Sequence, residues 1–185
     1  MRFLAFALSL ALALPALAGE KGGVTLPDEA EVNGKKLVLN GLGLREATMF
    51  NVDVYVAGIY IKEKTQDENK ILGADEEKCL LLKFVRDVDK SDITDAWDEG
   101  FEKNAGDDED KLKDRIKKLD DWMADIKVGD SLMFIYVPGK GLEVKVKDEV
   151  KGTLEGWDFA KVFFSIWLGP KPPNKGLKQG LLGKE

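Results

Sequence analysis

The stretch VLNGLGLREATMFNVDVYVAGIYI, residues 38–61, decides how this chain is read. Its second half alternates with a period of two. Val52, Val54 and Val56 fall on one face, and Asp53, Tyr55 and Ala57 on the other, which is the signature of a β-strand. Its first half carries Gly41-Leu42-Gly43 and then Arg45. The glycines lack the third glycine and following helix of a dinucleotide fingerprint. They read as a bend or bulge that lets two backbones approach. An arginine beside an apolar strand needs a partner if it points inward, because an unpaired buried charge is costly. Its planar guanidinium suits a carboxylate, with two parallel hydrogen bonds. Glu46 or Asp53 supplies that partner, or Arg45 is exposed, or a ligand brings an anion. Tyr55 and Tyr60 have opposite parity, so one of them turns a hydroxyl inward.

Working outward, Asn33-Gly34 sits between two short apolar runs and predicts a hairpin. KCLLLKFVRDV, residues 78–88, is nearly continuous and predicts a strand covered on both faces. Arg86, Asp87 and Asp89 read as a surface ion cluster at its end. The period then lengthens. Ile93, Trp97 and Phe101 share a helical face, with Ser91 as N-cap and Asp92 and Asp95 in the first turn. Leu112, Ile116, Leu119, Met123 and Ile126 form a second helical stripe. SLMFIYV (131–137) and LEVKV (142–146) flank a Pro-Gly-Lys-Gly turn and predict another hairpin. GWDFAKVFFSIWLG (156–169) is a helix that is apolar on most sides, hence buried, stopped by Gly169 and Pro170. An extended linker, PKPPNKG (170–176), leads to a short amphipathic tail, LKQGLLGK (177–184). Strands, helices, strands and a helix read as α+β with a largely antiparallel sheet.

The chain opens with a basic Arg2, an apolar run from Phe3 to Leu14, Pro15 and Ala16-Leu17-Ala18. This predicts a cleaved signal peptide over residues 1–18 and a periplasmic or secreted protein. The run is shorter than the roughly 20 residues a membrane span needs, and no later segment is an integral membrane candidate. Residues 19–185 then form a single domain. With 28 basic and 34 acidic residues the net charge is −6, and it becomes −7 without Arg2. That balance argues against nucleic acid and anionic membrane surfaces as partners.

There is no histidine, and Cys79 is the one cysteine. Ser-His and Cys-His triads, Cys/His zinc sites and an internal disulfide are excluded. Cys79 reads as a buried strand residue. The acidic run DDEDKLKDRIKKLDD (107–121) lacks the spacing of a calcium loop and reads as a solvated helix face. No metal and no cofactor is expected, and any chemistry rests on Arg, Lys, Tyr and carboxylates. The Ser165 hydroxyl, on the buried last helix, is expected to bond back to the carbonyl four residues earlier unless a ligand claims it.

LNGLGLREATMFNVDVYVAGIYI, GDSLMFIYVPGKGLEVKV and DFAKVFFSIWLGPKPPNKGLKQGLLG, in this order, resemble the bacterial chalcone isomerase-like proteins. The resemblance implies an open-faced β-sandwich-like fold, a large antiparallel sheet with a layer of helices on one face and a ligand cleft between them. Plant members that isomerise chalcones hold the substrate oxygen with an arginine. They add a strand threonine, a tyrosine and an asparagine near a helix start, and a serine or threonine on the last helix. Related members bind fatty acids through an arginine and a tyrosine. The arginine falls on Arg45, the strand threonine on Tyr55 and the last-helix hydroxyl on Ser165. The other two polar positions fall near Asp89 and Ala96, which departs from the isomerases. The resemblance therefore implies a non-catalytic protein whose ligand is a fatty acid or similar amphipathic carboxylate, with Arg45, Tyr55 and Ser165 as ligand-binding residues. The alternative is an isomerase or intramolecular lyase acting on an enone or phenolic substrate. A second alternative is an envelope interaction protein without a small ligand.

Overall fold

Among the described residues, strand order in the seven-stranded sheet repeats strand order in the sequence, so neighbours in the chain are neighbours in the sheet. The computed structural model describes residues 19–47 and 52–184, and the expected leader, residues 1–18, lies outside them. A two-stranded ribbon, β1 (Glu20–Lys21) and β2 (Val24–Thr25), comes first. The seven-stranded antiparallel sheet follows: β3 (Glu29–Val32), β4 (Lys35–Ala47), β5 (Val52–Ile61), β6 (Lys78–Phe84), β7 (Ser131–Val137), β8 (Gly141–Val146) and β9 (Glu149–Leu154). Helix α1 (Glu68–Gly73) lies between β5 and β6. Helices α2 (Lys90–Ala105) and α3 (Glu109–Asp121), joined by a 3-10 turn, lie between β6 and β7. Helices α4 (Trp157–Leu168) and α5 (Lys175–Leu181) close the chain.

The period of two sorts the core. Ile59 and Ile61 of β5, Leu80 and Leu82 of β6, Phe134 of β7 and Val144 of β8 face the helices in one large cluster. Tyr60 and Cys79 face the other side, in a smaller cluster with Val32, Leu37 and Leu39. The expected α+β architecture, with helices layered on one face of a large antiparallel sheet, is therefore present. β6 is its central strand and is covered on both faces. The predicted hairpin at Asn33-Gly34 forms with both residues at positive φ, 51° and 73°, as a two-residue turn of this twist requires. Cys79 is buried and free.

Several boundaries differ from the pattern reading. Helix α2 starts at Lys90 with Asp89 in the N-cap position, so Ser91 lies inside the first turn. Helix α3 ends at Asp121. Met123 and Ile126 are buried beyond it, and Ile126 makes a β-bridge with Val88. Strand β9 and helix α1 carry weak signals: β9 is a mostly exposed edge strand, and α1 buries only Ile71. The short amphipathic tail is helical. Its α5 docks on β4, with Leu177 and Leu181 fully buried.

That docking explains the glycines of β4. A Cβ at Gly41 would lie 2.1 Å from the Gly180 carbonyl oxygen, and one at Gly43 would lie 2.2 Å from that of Leu177. The strand and helix backbones touch because Gly41, Gly43 and Gly180 carry no side chain. Asn40 completes the seat. It is the extra residue of a β-bulge between the pairs Leu39–Tyr60 and Gly41–Ile59. Its Nδ2 donates to the Leu181 carbonyl at 2.8 Å, and its Oδ1 accepts from Thr65 N at 2.8 Å. One of the orphan carbonyls at the end of α5 is thereby satisfied.

Two predictions follow from this packing. Gly180→Ala would place its Cβ 2.1 Å from the Leu42 carbonyl oxygen. It should lower the urea midpoint and expose the tail to limited proteolysis. Gly73→Ala, which meets nothing within 4 Å, should leave both unchanged or slightly improved. The second concerns Asp120 on α3. Burial, then the negative charges of Asp98 and Asp121, push its carboxyl up to about 7, against the smaller pull of Lys90 and Lys117. A carboxyl raised in the folded state stabilises fully below its ordinary value of 3.8 and loses that contribution as pH rises to about 7. Asp120→Asn should therefore gain stability relative to the wild type as pH rises across that window, which urea unfolding of both proteins at several pH values measures.

Candidate functional site

On the helix-facing side of β4 the residues alternate as Gly41, Gly43, Arg45, opposite Ile59, Ala57 and Tyr55 of β5. The two glycines accommodate α5, and Arg45 is the first side chain beyond that seat. Directly opposed residues of an antiparallel pair share a face and lie about 5 Å apart at Cβ, so Arg45 and Tyr55 are neighbours by register. Just past them the pairing steps from Arg45–Tyr55 to Glu46–Asp53, leaving Val54 as the extra residue of a second bulge. The bulge breaks the simple alternation. Val54 lines the same cavity as Tyr55 instead of joining Val56 on the far face.

That cavity has a volume of about 440 Å³ and lies between the sheet, α2, α4 and the segment 171–173, within the range of small-molecule sites. Leu82, Phe84, Ile93, Trp97, Leu132 and Ile166 supply apolar wall. Arg45, Arg86, Lys103 and Lys171 bring positive charge, and Asp87, Asp92 and Glu99 negative charge. Glu99 is engaged by Lys103. Asp87 pairs with Lys127 at 2.9 Å and accepts from Val128 N. Among the described residues, no ion pair with a protein carboxylate occupies Arg45, Arg86 or Lys171. A larger recess of about 710 Å³ lies between α2 and α3, but Asp95, Asp98, Glu99, Glu102, Glu109 and Asp120 line it, so it repels anions.

Arg45 is half-buried and donates through Nη1 to the carbonyl oxygen of Glu46. Among the described residues, neither the Glu46 nor the Asp53 carboxylate pairs with it. Four of its five N–H groups remain for other acceptors. Tyr55 packs its ring against Phe84, with centroids 5.4 Å apart at 60°. Its hydroxyl oxygen accepts from Trp167 Nε1 at 2.9 Å. Burial pushes the phenol up to about 12, opposed in smaller part by the Trp167 hydrogen bond and by the charge of Arg45. Tyr55 is thus a neutral hydrogen-bond donor at any ordinary pH, next to a permanent cation.

Ser165 is placed differently. Its hydroxyl donates to the Val162 carbonyl at 2.6 Å, three residues earlier rather than four, and it does not line the cavity. Its neighbours Ile166 and Trp167 do. Ala96 is on the wall and offers no polar atom there, while Asp89 stands at the start of α2 away from the wall. Pattern reading did not single out Trp167, Lys103 or Lys171, and it assigned Arg86 to a surface cluster. Trp167 sits in a run of apolar residues where an indole is indistinguishable from core. The lysines lie on charge-rich stretches where only the fold says which of them faces a cavity.

A family model described as chalcone isomerase-like matches residues 18–183. Among solved structures, the crystal structure of an Arabidopsis thaliana fatty-acid binding protein aligns with a TM-score of 0.71 at 17% sequence identity, covering 90% of this chain and 95% of that one. At that identity the likeness is one of fold. No curated protein matches the sequence.

Replacing Tyr55 with phenylalanine keeps the contact with Phe84 but strands the Trp167 N–H. A buried donor left unsatisfied costs about 1–3 kcal/mol. Urea unfolding of Tyr55→Phe should show a loss of that size.

Proposed function

The chain belongs to the chalcone isomerase-like family, and on that premise we propose that it is a non-catalytic binding protein for a fatty acid or similar amphipathic carboxylate. The observation that carries this reading is the cross-strand pair Arg45–Tyr55 on the wall of a cavity with an apolar interior. Guanidinium and phenol both donate, and a carboxylate only accepts. The hydrocarbon chain lies against Phe84, Ile93, Trp97, Leu132 and Ile166, where each methylene removed from water contributes about 0.8 kcal/mol. Fatty-acid binding in the Arabidopsis protein of the same fold supports the assignment.

Export is part of the proposal. Residues 1–18 act as a cleaved leader, and residues 19–185 work as one domain in the periplasm or outside the cell. No helix of the described residues is long and apolar enough to cross a membrane.

An isomerase would use the same donors to stabilise an oxyanion. Tyr55, the acid beside Arg45, holds its proton up to about 12. That suits hydrogen-bond donation better than proton transfer near neutrality. A protein without a small ligand is less well supported, because the cavity is present and Arg45 is bound to a backbone carbonyl rather than to a protein carboxylate.

Loss of a charge-assisted hydrogen bond typically costs about 1.5–3 kcal/mol, so Arg45→Ala should weaken decanoate binding about tenfold or more. Isothermal titration measures the affinity and a thermal melt checks the fold. Equal affinity of variant and wild type would remove Arg45 from the site.

A further inference from the structure

The proposed reading uses Arg45 and Tyr55 but gives Trp167 no task. An indole N–H donates and never accepts. Its 2.9 Å contact with the Tyr55 hydroxyl therefore makes the phenolic oxygen the acceptor on the α4 side. The phenolic proton must turn elsewhere, and among the described residues no protein group accepts it. Tyr55 lines the cavity, and across the strand pair stands Arg45, also a pure donor. With the indole donating to its oxygen and a permanent cation across the strand pair, the hydroxyl is set to donate to a ligand.

We infer that Trp167 is a specificity-determining positioning residue that locks Tyr55 as a donor, so that the site selects an ionised carboxylate over the alcohol of the same chain. This rests on the carboxylate-binding reading above. A carboxylate accepts from Tyr55 and Arg45 and has no proton of its own to place. An alcohol also accepts, but its own proton finds the Tyr55 oxygen already occupied by the indole. That proton is then left unpaired in a desolvated place, which site-based selectivity exploits. Trp167 also packs against Phe134 and Phe163, with centroids at 6.4 and 5.0 Å. The test must therefore separate its N–H from its bulk.

The probes are decanoate and decanol, titrated against wild type, Trp167→Phe, Tyr55→Phe and the double variant. Wild type should prefer decanoate. Trp167→Phe should narrow that preference about fivefold to tenfold, the scale of one neutral hydrogen bond, by freeing the Tyr55 oxygen for the decanol proton and by releasing the aim of its own proton at decanoate. Tyr55→Phe should narrow it similarly, and the double variant should add little further, because the two groups act as one unit. In the wild-type protein, decanoate should move the Trp167 Nε1–H proton resonance further downfield than decanol does, since a hydroxyl that donates to an anion becomes a better acceptor than one that donates to a neutral oxygen. This readout stands even if Trp167→Phe fails to fold.

A wild type that does not bind decanoate overturns the ligand reading and this inference with it. A Trp167→Phe that keeps the full preference, or loses both probes equally, overturns the inference alone. So does an indole resonance unmoved at saturating decanoate.

Discussion

Helix α4 meets water only along a narrow stripe with Asp158 and Lys161, and the rest of the structure is arranged around that fact. Phe159, Ala160, Phe163, Phe164, Ile166, Trp167 and Leu168 are all buried. Phe163 is the contact point between layers, 4.6 Å from the Phe134 ring on the sheet and 6.3 Å from Trp97 on α2. A helix this apolar cannot lie on a surface. It needs the sheet on one side and α2 on the other, and both contribute to the same core. The same placement carries Trp167 to the edge of the cavity, where its ring is core and its N–H is not. A residue chosen by packing thereby gains a polar role at the site.

The second organising contact is between backbones. Gly41 and Gly43 let α5 lie directly on β4, and Gly180 does the same from the helix side. Because side chains alternate along a strand, the next residue on that face is Arg45. Its position is thus set by three features at once: the alternation, the α5 seat and the register with Tyr55. The bulge at Val54 then turns one more apolar side chain into the cavity. The Gly-x-Gly-x-Arg pattern is one device in which the glycines seat a helix and the arginine emerges just beyond the start of that helix.

Charge is distributed in keeping with this. Most acids lining the outer recess between α2 and α3, Asp95, Asp98, Glu102, Glu109 and Asp120, do not line the ligand cavity, which Asp92 and Glu99 of α2 reach. Of the acids at the cavity, Asp87 and Glu99 are engaged by lysines. A protein with net charge −6 therefore still offers an anion a local environment led by Arg45. Overall charge describes solubility and long-range steering, and the local arrangement decides what the cavity accepts.

Most of the architecture was legible in the amino-acid sequence because it rests on short-range periodicity. Alternation marked β5 and β8, continuous apolarity marked β6 as central, and the all-apolar run marked α4 as buried. Asn33-Gly34 and Gly169-Pro170 marked turns through backbone stereochemistry alone. Arg45 stood out as a charge in an apolar context, the family resemblance paired Tyr55 with it, and the glycines announced a close approach. Their meaning was decided only in three dimensions. The partner approaching Gly41 and Gly43 is a helix more than a hundred residues away, and Trp167 meets Tyr55 across 112 residues of sequence. Ser165 shows the converse. It has the residue type and helix suited to a ligand contact, yet its hydroxyl is satisfied by Val162 because it points along α4 rather than into the cavity. Local pattern specifies which elements form and which face each of them buries. Which two buried polar groups meet depends on register, bulges and helix rotation, and those are set by packing of the whole chain.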